Sequence, residues 1–133
     1  MAMSVAEAIR NAEAILPGQQ AAEGEEDPRW QAVIAVASFV DTEPEPVWSF
    51  VERWGRHPDD DLRSAIATCV LEHLLEYHFD LIFPRVAHVA RSNSCFAEMV
   101  GWCALFGQSE LPENAARLCC LVKELRNADG EVL

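Results

Sequence analysis

The stretch PDDDLRSAIATCVLEHL, Pro58 to Leu74, decides the fold. Its aspartates supply side-chain acceptors for free amides and negative charge at the positive end of a helix dipole. Leu62, Ile66, Val70 and Leu74 then recur every four residues, with Ala65 and Cys69 beside them, which gives a helix one apolar side and carries it to about Tyr77. Helix starts near Pro28, Asp61 and Asn93 are 33 and 32 residues apart, and second openings near Pro46, Phe79 and Pro112 are spaced by 33 and 33. Two helices per repeat at that period predict stacked helical hairpins, each leaving an apolar face that only a neighbour covers.

The rest of the chain fits around this repeat. Val5, Ala8, Ile9, Ala12 and Ile15 follow helical spacing and Pro17-Gly18 stops them, so residues 1–17 form an N-terminal helix. Residues 18–27 (GQQAAEGEED) read as an acidic linker. Thr42 and Glu45 offer a capping box ahead of Val47, Phe50, Val51 and Trp54, and Gly55 is available to end that helix. The chain is expected to restart at Phe79, with a bend at Pro84, and Ser92-Asn93-Ser94 breaks and re-caps it. A helix is predicted from Phe96 to Phe106, in which Gly101 permits close approach, and Gly107 closes it. Ser109 opens the last helix, and residues 127–133 form a tail. The expectation is one all-α domain: a short α-solenoid of three hairpins over residues 28–126, preceded by one helix.

The openings Asp27-Pro28-Arg29-Trp30-Gln31-Ala32 and Asp61-Leu62-Arg63-Ser64-Ala65 resemble the Asp/Arg/Ala start of HEAT repeats, with one extra residue before the alanine in the first. The third, around Asn93 to Ala97, lacks the arginine. The resemblance spans about residues 27–126 and implies a curved solenoid that recognises macromolecules on its concave face. The segments Cys69 to Arg85 and Phe106 to Arg117 are also similar to parts of short bacterial proteins of unknown function, a likeness that carries no mechanism.

Twenty-two acidic side chains against ten basic ones leave a net charge of −12. Such a chain repels a phosphate backbone and favours encounter with a basic surface, so nucleic acid is an unsuitable partner and a basic protein a suitable one. The same acidity also keeps a small protein soluble. The first ten residues contain Glu7 and lack an apolar run of leader length, and no apolar stretch of membrane-spanning length occurs, so no membrane partner and a cytoplasmic location are expected. The odd number of cysteines (Cys69, Cys95, Cys103, Cys119, Cys120) without a C-x-x-C pair fits reduced core residues rather than disulfides or a zinc knuckle.

The densest polar cluster, Glu72 to Asp80, offers His73, Glu76, His78 and Asp80 as metal candidates. His73 and His78 are five residues apart and diverge by about 140° on an ideal helix, so a structural role is favoured. His57 with Asp59, Asp60 and Asp61 lacks the glycine and distal glutamate of a calcium loop, and capping explains the acids. Cys119 and Cys120 diverge by about 100° on a helix. No catalytic group and no cofactor is expected. What remains is a binding surface on the second helices, with Trp48, Glu52, Arg53, Arg56, Arg85, His88, Glu113, Asn114 and Arg117 as contact candidates. Trp48 stands at the edge of its apolar face, as a hot spot or as a core-rim residue. The expected function is that of a non-enzymatic protein-interaction module, such as an acidic immunity or antitoxin-like inhibitor of a bacterial toxin. The alternatives are an adaptor or assembly factor, a metal-dependent enzyme using the Glu72 to Asp80 cluster, and a nucleic-acid reader, which needs a basic groove.

Overall fold

Short side-chain acceptors start most of the helices. Ser4 accepts from the amide of Glu7 at the head of α1 (Val5–Ile15), and Asp27 accepts from that of Arg29 at α2 (Pro28–Ala37). Asp59 accepts from Asp61 and Leu62 at α4 (Asp60–Ile66), and Asn93 from Phe96 at α6 (Ser94–Val100). The capping box expected at Thr42 is replaced: Glu43 is the N-cap of α3 (Pro44–Trp54), with no side-chain bond. Pro44 and Pro46 leave the first turn of α3 with two fewer free amides to satisfy.

The computed structural model describes residues 3–131, with side chains to 128, and among these residues the regular structure is all helical. The ladder from Leu62 to Leu74 is one rod with a π-helical turn at Ala67–Leu71, which passes from α4 into α5 (Glu72–Ser92). α5 breaks at His78, where φ −139° and ψ 47° leave the helical region, so the rod does end near Tyr77 and restart at Phe79. The break therefore lies at His78 and not at Pro84. A 3₁₀ turn (Gly107–Glu110) leads into α7 (Pro112–Glu131).

The core takes its side chains from every helix. Ala8 and Ala12 of α1 close one end, Val33, Val47, Ile66 and Phe79 fill the middle, and Phe96, Met99 and Leu121 close the other. α1 packs on α2 and α3, α2 packs on α4, and α4 on α6. On the other side α3 packs on α5 and α5 on α7.

Three expectations about the C-terminal third are corrected. The helix placed over Phe96 to Phe106 stops at Val100, and Cys103 to Phe106 run without helical structure along the α4–α5 rod. Their polar groups bond to that rod instead: the amide of Ala104 donates to Glu72 at 2.7 Å, and the Cys103 thiol lies 3.8 Å from the carbonyl of Ala67. Ser109 does not open the last helix. It is buried in the 3₁₀ turn, where its hydroxyl accepts from the amide of Phe106 and donates to the Phe106 carbonyl. The tail expected from residue 127 is helical to Glu131, and residues 132–133 lie outside the described residues.

The glycine assignment changes as well. A Cβ on Gly101 would meet nothing nearer than the Glu98 carbonyl at 3.4 Å, so no close approach depends on it. Gly55 is the tight position: a Cβ there would stand 2.7 Å from Met99 Cε and 2.8 Å from Phe96 Cδ2.

Candidate functional site

Two buried arginines join α2 to α4 and α4 to α6. Arg29, 2 % exposed, donates from Nη1 to Asp59 and from Nη2 to Asp61, both at 3.0 Å, and Trp30 Nε1 shares the same Asp61 oxygen. Arg63, 3 % exposed, donates to the Cys95 carbonyl at 2.9 Å and to Glu98 at 3.0 Å, and pairs with Asp60. Its guanidinium lies 5.1 Å from the centre of the Trp102 ring. Burial alone lowers the pKa of Arg29, but the hydrogen bond to Asp59 and the charges of Asp59, Asp27 and Asp61 outweigh it, so the group ends above its ordinary value. That arginine in turn holds Asp59 below the usual carboxylate range. The acids flanking His57 are thus oriented by arginines: Asp59 and Asp61 face Arg29, and Asp60 faces Arg63.

On α3 and α5, four of the expected contact residues converge. Trp48, Glu52, Arg85 and His88 line a concavity of about 420 Å³ between α3 and α5, with Pro84 and Val89. Trp48 is 5 % exposed and meets Phe96 edge to face at 6.1 Å, so most of the indole is core and only an edge reaches the concavity. Arg85 pairs with Glu45 at 2.7 Å, which raises the arginine pKa and lowers that of the glutamate. Glu113 and Arg117 line a separate concavity of about 440 Å³ between α5 and α7, over Phe83 and Leu121. Arg117 stacks on Phe83 at 4.9 Å and reaches Asp80 at 3.7 Å. The others serve local contacts. Arg53 crosses to Glu13 of α1, Arg56 folds back on Glu52, and Asn114 donates to the Gln108 carbonyl at 2.9 Å.

The Glu72 to Asp80 cluster is dispersed. Glu72 is buried beneath the amide of Ala104, and His73 lies 2.7 Å from Glu76 while stacking on Phe106 at 5.4 Å. The His78 ring bonds the Asp41 carbonyl at 2.8 Å, and Asp80 faces Arg117. Among the described residues no three His, Cys, Asp or Glu side chains converge as a metal ion requires.

One residue outside every sequence-based candidate set holds the break together. Gln108 accepts from the amide of Phe79 at 2.9 Å and donates to the carbonyl of Tyr77 at 2.8 Å, which supplies both backbone groups flanking the His78 break. The signal for it is a glutamine after a turn glycine, Gly107 at φ 51°, too common a pattern to single out. Compared with known proteins, the chain matches no family model, and neither the curated proteins nor the solved structures offer a significant relative.

Proposed function

We propose that the chain is a non-enzymatic protein-binding module, a short α-solenoid of HEAT-like hairpins that receives a partner with a basic surface. The successive packing of α2, α4 and α6, and of α3, α5 and α7, supports the hairpin reading, as do the arginines that bridge neighbouring first helices. The observation that carries the binding role is the use of the positive charge. Of ten basic side chains, seven (Arg29, Arg53, Arg56, Arg63, Arg85, Arg91 and Arg117) pair with carboxylates of the chain itself. Glu23, Glu25, Glu26, Asp41 and Glu43 meanwhile stand exposed on loops. A surface of that sign accelerates encounter with a basic protein and opposes nucleic acid. The concavity at Trp48, Glu52, Arg85 and His88 is the contact site this reading favours.

Acidic inhibitors that plug the basic cleft of a nucleic-acid-directed toxin combine these properties, and that role is the specific form proposed. The test is affinity capture from native lysate with mass spectrometry, followed by an activity assay on the partner recovered. A basic partner inhibited by the chain supports the proposal, and one bound without inhibition moves the chain to an adaptor role. Repeated capture of nothing, salt-sensitive binding of DNA, or stoichiometric zinc or iron in the purified protein overturns it.

A further inference from the structure

We propose that the connection 101–111, together with the part of α5 beneath it, is a second docking surface, and that it takes a basic amphipathic helix of a partner protein. The proposal rests on the protein-binding reading above and assigns it a face other than the second-helix concavity. Trp102, Leu105, Phe106 and Leu111 are between 37 and 55 % exposed and all lie in this one connection, and Tyr77, exposed to 44 %, lies on α5 next to the contacts made by Gln108. Single exposed apolar residues are ordinary, but a concentration of them marks an interaction site.

The exposure does not come from a loose loop. The connection is bound along the rod by the Ala104 amide on Glu72, the Phe106 ring on His73, and Gln108 across the His78 break. Gly107 is also packed so tightly on Glu76 that a Cβ would stand 2.7 Å from its Cγ. A surface held in this way loses little further freedom on binding, which favours affinity.

Charge selects the occupant. Neither residues 64–84 nor residues 92–116 contain a lysine or arginine, while Glu76, Asp80, Glu98, Glu110 and Glu113 lie within them. Of the arginines that approach from elsewhere, Arg63 under Trp102 pairs with Asp60 and Glu98, and Arg117 pairs with Asp80. Arg126 of α7 lines the concavity beside Trp102, so the acidic character belongs to the Tyr77, Phe106 and Leu111 part of the strip. An apolar strip with an acidic border fits a helix that presents leucine-like anchors at i, i+3 and i+4 and carries lysine or arginine on its flanks.

The probe is a synthetic helix of about 18 residues built from leucine and lysine with one apolar face, and its isomer is shuffled to have none. Titration of the full chain is expected to show binding about tenfold tighter for the first than for the second, and weakened about tenfold by Leu105→Asp or Leu111→Asp. Ile34→Asp, which puts the same charge at an exposed apolar position on α2, is expected to leave it unchanged. Circular dichroism checks the fold of each variant, and Leu111→Ser removes the anchor without adding charge. Equal binding of the two peptides, or indifference to Leu105 and Leu111, overturns the proposal. Loss of binding on Glu52→Arg instead overturns it and leaves the wider reading standing, because the peptide then occupies the concavity between α3 and α5.

Discussion

Arg29 Nη1 stands 3.0 Å from Asp59 Oδ2, and the same carboxylate caps α4 through the amides of Asp61 and Leu62. One residue therefore both starts α4 and anchors α2. Replacing Arg29 with Met leaves the cap intact but strands two carboxylates, so we expect a loss of about 3 kcal/mol in urea unfolding, with helix content unchanged below the transition. A loss within about 0.5 kcal/mol, the range of an ordinary surface change, would refute the bridging role.

The same pair sets an acid limit on stability. Asp59 titrates below its ordinary value of 3.8 because Arg29 donates to it, so its contribution is complete above that value and disappears as the pH falls through the lowered one. The unfolded chain binds the extra proton in this window, and stability therefore rises with pH there. Unfolding midpoints taken between about pH 2 and 5 should slope more steeply for the parent than for Arg29→Met. Parallel slopes would contradict this account.

Gly55→Ala and Gly101→Ala should part company. The first puts a methyl into the space of Met99 and Phe96 and should cost about 1–3 kcal/mol by overpacking. The second falls at the end of α6 with φ −66° and nothing nearer than 3.4 Å, and should be neutral or stabilise by up to about 1 kcal/mol. Thermal melts of the two proteins decide the matter, and equal shifts would count against the packing described for Gly55.

Gln108→Ala removes the partner of two backbone groups at once. With the amide of Phe79 and the carbonyl of Tyr77 left to find water, the loss should be about 1–3 kcal/mol. Hydrogen exchange gives the sharper reading, since the amide of Phe79 should lose protection while those deep in α2 keep theirs. Uniform loss across the chain would indicate general destabilisation instead.

Thiol labelling orders the cysteines. Cys119 and Cys120 are exposed on α7 and should react first with a neutral disulfide reagent. Cys103 and Cys69 should lag, because burial raises both thiols above their ordinary value and the nearby Glu72 charge adds to the effect. Prompt reaction of Cys103 in the folded protein would contradict its place between the connection's backbone and the rod, with its thiol against the Ala67 carbonyl.

Helix starts were legible in the sequence because capping is local chemistry: Asp27, Asp59 and Asn93 each satisfy amides two or three residues ahead. The stop after Val100 was not, because Trp102, Leu105 and Phe106 prolong an apolar pattern although their backbone partners are tertiary. The π turn at Ala67–Leu71 leaves no mark on the ladder's spacing. For the candidate surface, the sequence brought Trp48, Glu52, Arg85 and His88 into one set, but it also included Arg53 and Asn114, whose partners lie on α1 and in the 3₁₀ turn. At Glu72 to Asp80 the five-residue histidine spacing already favours a structural role, but the partners that define that role are tertiary and leave no mark in the sequence. Glu72 serves a backbone amide and His73 an aromatic ring.

Gln108 completes a helix that precedes it by 29 residues. As the chain leaves the ribosome, the gap at His78 stays without these two partners until that glutamine has emerged. Synthesis halted at Gly107 releases a product with the seam unclosed, which ties the completion of this fold to the emergence of the 3₁₀ turn.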